Sequence, residues 1–509
     1  MRLRSLALPV VLAFIVGACA PTTSTSPNAP AATPNRTPVT VIQGSDPASL
    51  DPVRDTTLVA DNVYENVYDT LASLDTAGKL QPRLATEWTP NANATEWTIK
   101  LRQGVKFHDG EPWNAQAAKF SIDRIKNPDT KAASVSQMDA IATATVVDDY
   151  TLKLTTKYPM VPLMYAAFTT TYFPSPKAVQ ADPVAFGRKG VGTGPYTVKE
   201  WINDDHLTLE AFPGYWGTAP QVKTLIFKPI KEASSAVAAL STGAADILLS
   251  LSETLAGQVG KDARVEKLDG LRKMFVVLNT KVKPLDNVLV RQALNYAIDK
   301  DAIVKNLLGG DSRIVGGLVN HNLTGFNENA KPYAYDPAKA KALLAQAGLP
   351  DGFSMEWGTP QGRYPMDREI GDAAVQQLAK VGIKATVKVQ EFTQLIGAVR
   401  GGTLPGAAYL ACIALRGDPD HCYFTHVSSK GTYPLLFNDT KMDAYIARER
   451  ETTDPAARAT LFKEMENYTV EQAPVIFMFD SSDLFGVSNR LDWKPTISGF
   501  VHGINIKYK

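Results

Sequence analysis

Trp97-Thr98-Ile99-Lys100-Leu101-Arg102-Gln103-Gly104-Val105-Lys106-Phe107-His108-Asp109-Gly110 is the stretch from which the fold is read. Trp97, Ile99 and Leu101 alternate with Glu96, Thr98 and Lys100, the period-two pattern of a half-buried strand. Gly104 and Gly110 permit backbone turns that other residues resist, so Lys106 to Asp109 falls in a strand-turn between them. Leu152 and Leu154 repeat the alternation after an Asp148-Asp149 turn. Farther on, Phe275-Val276-Val277-Leu278 is an unbroken apolar run, as expected of a strand covered on both faces. Asp336-Pro337 then opens a helix, with Asp at the cap and Pro in the first turn. Ala340, Leu343, Leu344 and Ala347 give that helix one apolar stripe, and Gly348 ends it. A helix around Ala373 to Leu378, a turn at Gly382 and a strand from Ile383 to Val389 follow. Strands alternating with helices predict an α/β protein with helical covers on its sheets.

At the N-terminus, Arg2 and Arg4 precede an apolar run of 11 residues, Leu6 to Val16, closed by Gly17-Ala18-Cys19. This is the layout of a secretory signal. The run falls short of the roughly 20 residues needed to span a bilayer. Val16-Gly17-Ala18-Cys19 resembles the lipobox of bacterial lipoproteins, which implies a signal peptide over residues 1–18 and an acylated Cys19. Residues 19–38 are rich in Ala, Pro, Ser, Thr and Asn and read as a flexible tether. The mature chain is expected outside the cytoplasm, bound to a membrane through its lipid alone.

About 490 residues follow Cys19, enough for two or three domains. The net charge of +1 gives no reason to expect nucleic acid as a partner. Besides Cys19 only Cys412 and Cys422 remain; outside the cell they form either a disulfide or two separate buried thiols. Nucleophile-elbow, Walker, Cys-x-x-Cys and His-Glu-x-x-His motifs are all missing. Of six histidines only His421 and His426 lie close together, at a spacing that does not suit two ligands on one helix face. Neither an enzyme nor a cofactor is expected.

Five blocks carry a family resemblance. They are Leu80-Gln81-Pro82-Arg83-Leu84-Ala85-Thr86-Glu87-Trp88 continuing through Gly110; Gly192-Thr193-Gly194-Pro195-Tyr196 with Trp201 and Tyr215-Trp216-Gly217; Asn279 and Pro284 to Asp299; Tyr335 to Gly348; and Gly417-Asp418-Pro419-Asp420. In this order they resemble the large extracytoplasmic solute-binding proteins that serve peptide, nickel, glutathione and some oligosaccharide ABC importers. The motifs themselves read as scaffold rather than ligand site.

The resemblance implies a two-lobed periplasmic-binding-protein-like fold with an extra subdomain in the first lobe. Lobe I would span 39–274, with the extra subdomain at about 60–180, and regain residues 480–509. Lobe II would span 280–474, and the chain would cross between lobes at 275–279 and 475–479. The implied function is capture of a small peptide or peptide-like ligand between the lobes, by a monomer, for permease subunits with their ATPases. A nickel complex or an oligosaccharide is the alternative cargo.

Ligand residues are expected at Arg363, Tyr364, Tyr409, Ile413, Leu415 and Arg416. Arg363 resembles an arginine that holds the ligand carboxylate in dipeptide-binding relatives, where its planar fork can donate two hydrogen bonds; otherwise it is a surface arginine. Relatives hold the ligand's α-amino group with an aspartate three residues before the acidic-Pro pair. Leu415 stands there in this chain, beside Arg416, so an unblocked dipeptide in the usual register is not the expected cargo. Asp418 and Asp420 read either as ligand acids or, for Asp418, as the cap of a helix with Pro419 in its first turn.

Overall fold

The computed structural model describes residues 38–509 apart from 77, 361, 414–416 and 434–435. Cys19 and the expected signal and tether therefore lie outside the described residues, as do Leu415 and Arg416. The backbone of a ten-stranded mixed sheet organises the rest. Across that sheet the strands run Lys384–Gln390, Ser354–Pro360, Ala407–Ile413, Ala263–Leu278, Val475–Ser488, Ile247–Leu251, Val39–Gln43, Thr224–Pro229, His206–Ala211 and Tyr196–Ile202.

The two long central strands, Ala263–Leu278 and Val475–Ser488, pair antiparallel along nearly their whole length. Their register shifts between Asp269 and Arg272 and again between Met274 and Phe275. From Arg272 to Leu278 the first of them also pairs with Ala407–Ile413. The paired crossing is thus longer than the apolar runs 275–279 and 475–479 that mark it in the sequence. Its remaining length is charged, and the charges are matched by Arg272 to Asp483 at 2.8 Å and Lys273 to Asp480 at 2.9 Å. Phe275 and Val277 bury into one core, while Met274, Val276 and Leu278 bury into the core on the opposite face.

A separate four-stranded sheet, ordered Ala85–Pro90, Glu96–Leu101, Thr151–Thr156 and Ile141–Asp148, has its own core. Ile99 and Leu152 pack there with Phe107, Trp113 and Phe173. The motif blocks fasten this piece to the large sheet. The His108 N–H donates to the Gly192 carbonyl at 2.8 Å, and its Nε2 lies 2.9 Å from the Gly194 carbonyl. A Cβ at Gly192 would sit 2.2 Å from the Val67 carbonyl oxygen, so only glycine allows this approach. Buried Asp69 accepts from Arg83 at 2.6 Å and from Thr193 and Trp216 at 2.9 Å. The block around Arg291 acts likewise. Its guanidinium caps the carbonyls of Leu285, Asp286, Gln472 and Ala473 and so holds the chain just before Val475.

The helix expected around Ala373 begins six residues earlier, spanning Asp367–Ala379. Buried Asp367 explains the early start. Its carboxylate accepts from the backbone N–H groups of Arg363 and Tyr364 at 2.9 and 3.2 Å, which folds that loop onto the helix end. The described residues contain no helix long and apolar enough to cross a membrane.

Candidate functional site

A cavity of about 270 Å³ lies where the small-sheet region faces the elements that follow the first crossing. One wall comes from Asp55, the start of helix Leu58–Val67, and the segments around Ser134 and Thr170. The other wall comes from Arg400 and His421. Arg400 ends helix Phe392–Arg400 and hydrogen-bonds the Tyr433 side chain. His421 lies in the first turn of helix Asp420–Val427. Asp55 is committed to the backbone, accepting from Ala48 and Thr57 at 2.7 and 2.8 Å. Two buried cavity hydroxyls, Ser134 Oγ and Thr170 Oγ1, have no hydrogen-bond partner among the described residues. Leaving a buried hydroxyl unpaired costs about 1–3 kcal/mol.

A buried ion network braces the His421 wall. Asp420 pairs with Arg450 through two contacts of 2.6 and 3.0 Å, and Asp418 pairs with Arg458 at 2.6 and 2.8 Å. Arg458 also holds Glu449 at 2.6 Å. Burial opposes ionisation of Asp420, but the adjoining Arg450 guanidinium outweighs it and holds the carboxyl well below the usual range. Burial, with Asp420 beside it, pushes Glu449 well up. Three carboxylates thus face two guanidiniums, and a proton on Glu449 removes the surplus negative charge. The network also meets the opposite wall, because Val161 N–H donates to the Arg450 carbonyl at 2.9 Å.

Asp418 therefore differs from its expected role. Its Oδ1 accepts from Asp420 N–H at 2.9 Å, as a cap would, but the helix proper starts at Asp420 and the carboxylate is chiefly the partner of Arg458. Arg363 is exposed and stacks 4.7 Å from the Phe392 ring centroid; it is not part of the cavity lining. Tyr364 is buried, and its hydroxyl accepts from Ala411 N–H at 3.3 Å. Tyr409 is 1% exposed and sits edge-on to Tyr364 within the core. Ile413 ends the strand paired with Arg272. Cys412 and Cys422 are joined by a disulfide that ties this strand to helix Asp420–Val427. Sequence reasoning missed Arg400, Ser134, Thr170 and Gln137. Ser134 and Gln137 have one visible signal, the mainly polar stretch Ser134-Val135-Ser136-Gln137, and Arg400 and Thr170 have none.

A polar cavity between two walls, beside a large mixed sheet, is the arrangement expected of a two-lobed solute-binding protein. The comparisons agree. Residues 79–433 match the bacterial extracellular solute-binding proteins, family 5 Middle, and the chain belongs to that family. The chain is thus the solute-binding component of an ABC importer and works outside the cytoplasm. It is 31% identical to the glutathione-binding protein GsiB of Salmonella typhi over 452 residues, covering 86% of this chain and 88% of that one. Among solved structures, HbpA2 from Haemophilus parasuis superposes with a TM-score of 0.81 at 25% identity, covering 93% of this chain and 99% of that one. DppA from Helicobacter pylori in complex with peptide STSA gives 0.80 at 24% identity, covering 92% and 98%.

Proposed function

We propose that the chain captures a small peptide-like solute of di- to tripeptide size in the cavity between Ser134, Thr170, Arg400 and His421. The observation that carries this reading is the cavity itself: about 270 Å³, polar, and bordered by Asp55 and Asp61 on one wall and Arg400 and His421 on the other. That volume is at the small end of ligand pockets. Arg400, which lines the cavity where Arg363 does not, would give a ligand carboxylate its cation. Closure of the lobes shifts with ligand because only the closed form surrounds it, and the closed form is what the permease subunits read.

The relatives include glutathione-binding proteins, and the chemistry of this chain is compatible with such a cargo. Leu415 stands where an amine-holding aspartate is expected, so an isolated ammonium would be buried without a partner at a cost of several kcal/mol. In a γ-linked peptide the ammonium sits on the same carbon as a carboxylate, which compensates it locally. Calorimetry should compare glutathione, a free dipeptide and its N-acetylated form. Glutathione and the acetylated form are expected to bind better than the free dipeptide. Tight binding of the free dipeptide, lost on acetylation, would overturn this reading.

Cys19, preceded by small residues at the end of an apolar run, supports a lipid anchor. Cys19→Ser should release the protein from membranes or leave it unprocessed. Recovery of a correctly cleaved, membrane-bound Cys19→Ser protein would contradict the anchor.

A further inference from the structure

A second cavity, of about 280 Å³, lies between the same two walls. Tyr158 and Met160 line it on one side, with Phe424, Lys430 and Arg450 on the other. Ser136, Gln137 and His421 line both cavities, so these side chains stand between them. Both long members of that set are held from behind. Gln137 lies on the short turn Val135–Met138, and its Oε1 accepts from Thr171 Oγ1 at 3.0 Å. His421 follows Asp420, which Arg450 grips, and precedes Cys422, which is bonded to Cys412. One side chain comes from each wall, so the two border both cavities only when the walls are together.

We propose that Gln137 and His421 form a partition that sets the length of the ligand. This rests on the ligand reading above and adds to it. With the partition in place the first cavity ends at the size of a short peptide. Without it the space would roughly double, into a region where Lys430 offers a cation for the carboxylate of a longer chain. The partition is a specificity determinant that excludes solutes, and its members need not bind the short ligand strongly.

The test compares the wild type with Gln137→Ala/His421→Ala, using glutathione and N-acetylated peptides of two to six residues, read by calorimetry. The double variant should bind an acetylated pentapeptide at least about tenfold tighter than the wild type does, and its preference for pentapeptide over glutathione should rise at least as much. Adding Val135→Trp, at an exposed position that lines the second cavity, should cancel the gain. If the double variant fails to fold, His421→Ala alone should give a smaller gain in the same direction. A folded variant that binds the pentapeptide no better than the wild type overturns the partition. Failure of the wild type to bind glutathione or any short blocked peptide, while the variant gains long ones, overturns the ligand reading and leaves the partition standing.

Discussion

His426 is enclosed between the Phe275 and Tyr433 rings, with centroids 4.9 and 5.1 Å away, and its Nδ1 lies 3.1 Å from the Cys422 carbonyl. Burial pushes its imidazole from the ordinary 6.5 down to about 4, with the carbonyl contact working weakly the other way. The folded protein therefore holds it neutral, while the unfolded chain takes up a proton at higher pH. Its stabilising contribution is complete above pH 6.5 and is lost as pH falls from 6.5 towards 4, a swing of about 3 kcal/mol. Thermal melts over that window should show His426→Phe less acid-sensitive than the wild type; equal sensitivity would contradict the assignment. A second comparison at this scale separates the two arginines. Arg400→Lys should weaken binding of glutathione about tenfold, because the ammonium loses the planar fork. Arg363→Lys should change it by less than about twofold. Arg363 stands out in the sequence because it lies beside Tyr364 in a recognisable motif. Arg400 did not, since a cation in the last turn of a helix is ordinary charge placement. Whether the hydroxyls of Ser134 and Thr170 find partners depends on which chain segments arrive beside them, and no local pattern records that.

Helices and strands show the same division between what local pattern carries and what distant partners decide. Asp418 was legible as a cap, but its pairing with Arg458, forty residues on, was not. Asp418→Ala should cost about 3 kcal/mol in urea unfolding, since it strands a largely buried guanidinium. Asp418→Asn keeps an acceptor for Asp420 N–H but loses the charge. It should be nearly as destabilising as the alanine, and full recovery with asparagine would restore the simple cap. The long strand Ala263–Leu278 was visible only where it is apolar, because its earlier part reads as a charged surface until its partners are placed opposite. The Cys412–Cys422 link, left open between a disulfide and two thiols, spans a separation of 10 residues and encloses Leu415 and Arg416. Replacing both cysteines with serine should lower stability by about 2–3 kcal/mol and also weaken ligand binding. Unchanged affinity would show that the enclosed loop has no part in the site.

At the scale of the molecule, the motifs that made the family legible are mostly joints. Gly192, Gly194, Asp69 and Arg83 fasten the small sheet to the large one, and Arg291 secures the return crossing. Joints of this kind fix the two-lobed frame whatever the cargo. On the proposed reading, cargo choice falls instead to scattered side chains that the closed frame brings together, which is why the fold could be read farther than the site. The account rests on the claim that this frame closes around a short peptide-like solute. Native mass spectrometry of the freshly purified protein, alone and after incubation with a mixed pool of di- and tripeptides, addresses that claim most directly. The expected result is a one-to-one adduct whose mass and fragments are those of a di- or tripeptide, glutathione included. An adduct that proves to be a metal chelate or a sugar, or a protein that takes up no peptide from the pool, would contradict it.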